Sequence, residues 1–173
     1  MSNDITTSQT VGPYPHAAWQ WAADLSASRH LRTDAATVTI EGVIYDGAGA
    51  PVSDAQIEAW QPAAAAAEEQ QMLPGFRRVP SDGQGAFSLR LSLVEQPPGA
   101  PLALLTVFAR GLLVHQFSAV FLDDDSGLQQ SALLAQVPAE RRATLLARHT
   151  GAGRYRWDIH LQGPQETVFF DYA

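Results

Sequence analysis

The side chains that could carry metal or acid–base chemistry are few in this 173-residue chain, and they are scattered. The five histidines are His16, His30, His115, His149 and His160, and no two stand at a ligand-pair spacing. There is no cysteine, which excludes thiolate zinc sites, disulfides and a cysteine nucleophile. The run Asp123-Asp124-Asp125 reads as a solvated loop at a strand end, because a calcium loop needs glycine and further oxygen donors at set intervals. His115 sits in an apolar stretch and reads as a hydrogen-bonded core or interface histidine, with a metal site shared with Asp123 or Asp124 as a minor alternative. His160 falls on the polar side of its strand and is expected to be exposed. No Gly-x-Ser-x-Gly elbow and no phosphate-cradling glycine loop occurs. Arg110 is different: it ends the apolar run PLALLTVFAR just before Gly111. A guanidinium beside so much buried surface must either snorkel to water or meet an anion, and the sequence leaves both open.

The elements that would position these residues alternate with period two. In TVTIEGVIYD, Val38, Ile40, Gly42 and Ile44 share one face, with Thr39 and Glu41 on the other. The turn formers Asp46 to Pro51 lead to a second strand over Ala55–Gln61. Ser81 to Gly85 is a turn signal before AFSLRLSLV, where Phe87, Leu89, Leu91 and Leu93 oppose Ser88, Arg90 and Ser92. Residues 101–110 and 112–122 are apolar on both faces, as for strands covered on each side. RYRWDIHLQ alternates again, and ETVFFDY (166–172) reads as a short closing strand. Helix is scarce: a short one fits within 125–137, and PAERRATLLARH (138–149) is the best candidate, with Pro138 at a first helical position and Gly151 past the end. Ala63–Ala67 with Glu68 and Glu69 reads as a helical turn or surface loop without chemistry of its own. Short strands with turn-rich joints make this an all-β chain: an arm and linker over 1–36, then one β-sandwich domain over 37–173.

Bulk properties narrow the function classes. A hydrophobic content of 46% with 17% charged residues belongs to an ordinary globular protein. The net charge of −7 with only 11 Lys+Arg argues against nucleic acid. No membrane-length apolar stretch and no leader pattern is apparent, so the expectation is a cytoplasmic protein without a membrane partner.

Several blocks, in order, resemble the intradiol ring-cleaving dioxygenases. "TTSQTVGPYPH" is similar to their T-P-S-Q-T-x-G-P-Y/F segment, and "IEGVIYDGAGAPVSDAQIEAWQPAA" to their G-x-V-x-D-G-x-G-x-P-V-x-D-A-x-I-E-x-W-Q block. "LLTVFARGLLVHQFSAVFLDDD", "PAERRATLLARH" and "YRWDIHLQGPQETVFFDYA" resemble the alpha chains of the protocatechuate-cleaving branch, with their F-A-R-G and terminal Q-G-x-x-E-T-V-F-F-D-F signatures. The resemblance spans nearly the whole chain and is weakest over Pro62–Gly75.

This resemblance implies a transthyretin-like β-sandwich with an extended N-terminal arm, working in a hetero-oligomer with a beta subunit. In that family the beta chain holds Fe(III) through two tyrosines and two histidines. The positions that match those ligand segments here are Ala64–Glu68, Val94–Gly99 and Pro101–Leu105, and none of them supplies a tyrosine or histidine. The resemblance therefore implies no metal and no catalytic residue on this chain alone. It implies substrate-pocket contributions from Thr10, Gly12, Pro13 and Tyr14 in the arm and from Arg110 in F-A-R-G, with Arg110 pairing with the carboxylate of a small aromatic acid or orienting that wall of the pocket. The implied reaction inserts both atoms of O2 into protocatechuate to give 3-carboxy-cis,cis-muconate. A stand-alone sandwich serving only binding or assembly is the competing reading, since it too would lack the ligands.

Overall fold

The alternation in ATVTIEGVIY produces β1 (Ala36–Tyr45), whose Val38, Ile40 and Ile44 point into the core while Thr39, Glu41 and Val43 stay partly exposed. The computed structural model describes residues 31–171. β1 pairs antiparallel with β4 (Ala86–Leu93), in register from Ala36↔Leu93 to Val43↔Ala86. Its other edge takes two short parallel strands, β8 (Arg154–Arg156) and then β9 (Ile159–His160). Between them the carbonyl of Trp157 turns toward β1, so a Cβ at Gly42 would lie 1.8 Å from it; only glycine fits.

The facing layer is antiparallel: β3 (Phe76–Pro80), β2 (Gln56–Trp60), β5 (Ala103–Phe108) and β6 (Gln116–Leu122). A short strand β7 (Leu146–Gly151) joins the layers, pairing parallel with β6 and antiparallel with β8. The resulting order is β3-β2-β5-β6-β7-β8-β1-β4. One core fills the sandwich, with Ile40, Ile44, Leu89 and Leu91 from one layer against Ile57, Val79, Leu105 and Val107 from the other. Each such buried side chain contributes about 1.5–3 kcal/mol relative to exposure. A second cluster, Ala119, Phe121, Leu134, Val137 and Leu145, covers the outer face of β6 beneath the 128–145 segment.

The all-β expectation holds, and several boundaries move. The segment expected as a helix over 138–149 is a 3-10 stretch, Ala139–Leu145, followed by β7. Leu145 is drawn into the second cluster, and the next residues pair with Phe121 and Leu122, which ends the helical turn early. The expected short helix within 125–137 is α1 (Ala132–Ala135), capped by the Ser131 side chain accepting from Leu134 N. The 166–172 segment does not form a strand over its described part. Only Phe170 bridges Phe117, while Val168 is held by side chains: Thr144 Oγ1 accepts from Val168 N and Ser118 Oγ donates to Val168 O. β6 starts at Gln116, so Leu112–His115 is loop. β5 is not covered on both faces, because Leu104 is 37% exposed on the outer side. β3 has no counterpart among the expected strands.

Candidate functional site

Arg110 lies two residues past β5 in the turn that leads to Gly111. The register Gln56↔Phe108, extended by two residues, sets Arg110 beside Asp54, which precedes β2. Arg110 Nε is 3.0 Å from Asp54 Oδ2, with the arginine side chain 63% exposed and the aspartate 13%. The structure thus joins the two readings of Arg110: it reaches water, and a carboxylate steadies it at its root. An exposed pair of this kind is worth little in stability, so its significance lies in where it holds the guanidinium. Asp54 was not singled out from the sequence, although the turn–strand register around V-S-D-A-Q contained the signal. The other expected pocket residues, Thr10, Gly12, Pro13 and Tyr14, lie outside the described residues, as do His16, His30 and Tyr172.

The acidic run and His115 do not form a site. They stand at opposite ends of β6, about eight residues or roughly 26 Å apart in extended chain. Asp123 Oδ1 accepts from His149 N, Asp124 accepts from the Tyr155 hydroxyl, and Asp125 Oδ1 accepts from Gly127 N. Burial first, and then the hydrogen bond and negative charge of Asp124 and the charge of Asp123, push Tyr155 up to about 12. His115 is exposed, not a core histidine, and packs edge-on to Phe117 at 4.5 Å. His160 is half-buried where exposure was expected, stacked on Tyr45 at 5.0 Å.

The residues that flank the segments matching the family's ligand positions are tied together by one buried amide. Gln61, just after β2, donates through Nε2 to Ser92 O and Leu102 O, both at 3.0 Å, and accepts from Ser92 N through Oε1. It thereby draws together the turns after β2, the end of β4 and the start of β5. The side chains at this junction do not suit a ferric ion. Pro101–Leu105 offers only aliphatic groups, and the buried Glu68 carboxylate is spent on Ser92 Oγ, Gly75 N and Arg77. No group of three or more His, Asp or Glu side chains able to hold a metal occurs among the described residues.

Over the outer face of β3-β2-β5-β6 runs an apolar groove of about 410 Å³, lined by Trp60, Phe76, Leu104, Thr106 and Phe117. Trp60 is 43% exposed at its edge.

No family model matches the chain. The protocatechuate 3,4-dioxygenase alpha chain of Burkholderia cepacia is 38% identical, over 96% of this chain and 96% of that one. The alpha chain of the same name from Pseudomonas putida is 30% identical over the same shares. The chain belongs to the protocatechuate 3,4-dioxygenase alpha-chain family. Its fold agrees with solved intradiol enzymes. The dioxygenase domain of a dioxygenase carbohydrate-binding protein fusion from Streptomyces sp. SirexAA-E superposes with a TM-score of 0.59 at 19% identity, over 92% of this chain and 99% of that one. Catechol 1,2-dioxygenase from Acinetobacter sp. ADP1 gives a TM-score of 0.54 at 17% identity, over 78% and 59%. Among the described residues, no helix is long and apolar enough to cross a membrane.

Proposed function

We propose that this alpha chain completes the substrate pocket of an iron-bearing beta subunit and has no catalytic centre of its own. Intradiol dioxygenases use iron, and here the Fe(III) belongs to the beta partner. The reaction of the complex is cleavage of protocatechuate between its two hydroxylated carbons, with both oxygen atoms of O2 inserted. The observation that carries the reading is Arg110: an outward guanidinium, steadied by Asp54, on a chain whose own ligand segments hold no iron donors. Once the partner covers it, the guanidinium can pair with the substrate carboxylate. Residues 1–36 act as the arm that carries Thr10, Gly12, Pro13 and Tyr14 to the partner, and residues 37–173 are the sandwich that anchors it. Prolines in the arm lower the ordering cost of such an encounter. The complex works in the cytoplasm.

Arg110→Ala in the assembled complex tests this. Loss of one partner of a buried charged pair costs ~2–5 kcal/mol, read as a fall in kcat/KM for protocatechuate. Catechol, which lacks the carboxylate, should be cleaved by wild type and variant with similar kcat/KM. An unchanged kcat/KM for protocatechuate would remove Arg110 from the pocket and favour a purely structural chain.

A further inference from the structure

The strand alternation in FRRVP has an unexpected consequence. Residues 77 and 79 share the buried face of β3, with Val79 opposite Ile57 and Arg77 opposite Ala59, so an arginine occupies a core slot. Arg77 is 1% exposed and Glu68, on the 3-10 turn Ala66–Glu68, is 0% exposed. Arg77 Nη2 lies 2.6 Å from Glu68 Oε1, and Nη1 donates to Phe76 O. Arg77 Nε and Nη2 are both buried without a directed hydrogen bond among the described residues, so Nη2 meets Glu68 as an ion pair. A buried guanidinium with an unsatisfied donor is costly, and an aliphatic residue would fill the slot more cheaply.

What the pair obtains for that cost is cross-linking. Glu68 Oε2 accepts from Gly75 N at 2.7 Å and Oε1 from Ser92 Oγ at 2.6 Å. One carboxylate thus ties the turns after β2 to the first residues of β3 and the end of β4, and Gln61 extends the tie to β5 through Leu102 O. The entering chain is held as well: Ser92 Oγ also contacts Thr33 Oγ1, and the buried Gln71 accepts from Arg32 N. Gly75 has φ +74, and a Cβ there would lie 2.5 Å from Gln61 O, so the loop closes only with glycine. We infer that the Glu68–Arg77 pair is the conformational lock of loop 61–75, an internal guanidinium cross-link set in the junction whose ligand segments lack metal donors. The loop it fixes carries the exposed Met72 and Leu73, so the lock sets where these apolar side chains are held. This inference stands whether or not the chain joins a beta subunit.

Thermal unfolding and amide exchange of the purified chain test it. Glu68→Gln and Arg77→Met should each lower the unfolding midpoint by roughly 10 °C. The double variant should lose less than the sum, because with both charges removed neither replacement leaves an uncompensated buried charge. If Arg77→Met does not fold, Arg77→Lys retains the cation without the fork; its Gly75 amide should exchange about tenfold faster while the Ile40 amide in β1 keeps its protection. EDTA should leave the wild-type midpoint unchanged. Additive single losses, single losses under about 2 °C, unaltered Gly75 exchange in Arg77→Lys, or a midpoint that falls with EDTA would each overturn the lock.

Discussion

Arg110 and Tyr155 show how differently two polar residues can be used, one past a strand end and one inside a strand. Arg110 reaches into solvent with Asp54 at its base, a poor stability contact that holds the guanidinium at the strand's end. Tyr155 is the reverse: its ring is buried and its hydroxyl is bound to Asp124, so ionisation is opposed and its pKa rises from 10.0 to about 12. The folded pKa exceeds the unfolded one, so the stabilisation is complete below pH 10 and is lost as pH rises through about 12. Stability followed by chemical denaturation across that range should therefore decline with pH, and Tyr155→Phe should flatten this part of the profile. A profile as steep in Tyr155→Phe as in wild type would locate the alkaline loss elsewhere. At this scale the sequence was informative about Arg110, because an arginine closing an apolar strand is conspicuous. It was silent on Arg77, because FRRVP holds two arginines and nothing local tells which one turns inward.

At the scale of elements, legibility followed periodicity. β1, β2 and β4 could be read because their alternation has one buried face and one wet face. β3 was hidden because its core slot is filled by a charge, which removes the apolar half of the pattern. The 138–149 segment has helical composition, yet it gives way to β7 where Leu146 and Ala147 find partners on β6; tertiary pairing overrode propensity. Gly42 is the point where the β1 pattern looks weakest and matters most, since β8 and β9 exchange places against it through Trp157. Trp157 N donates to Glu41 O and Val43 N donates to Asp158 Oδ1 across this switch. Gly42→Ala must displace backbone, and a destabilisation of ~3 kcal/mol is expected in urea titration. Gly83→Ala, with open space around its Cβ, is the matched control and should change little.

Across the whole molecule, the layer that carries Arg110 also carries the open apolar groove over Trp60, Leu104 and Phe117. The sandwich was legible because alternating strands and turn signals recur along the chain. The openness of β5 was not, because an apolar residue on a strand reads the same whether its outer face is covered within the chain or left bare. The same limit applies to the Glu68–Arg77 lock, which links segments that only the fold brings together. The central claim is a division of labour, with iron on a partner and pocket walls on this chain. The most direct measurement is iron content and protocatechuate cleavage for the purified chain, the purified beta subunit and the two combined. The account predicts a chain free of iron and inactive alone, and a complex whose iron tracks the beta subunit and whose activity exceeds that of beta alone. Stoichiometric iron with ring cleavage by the isolated chain would contradict it.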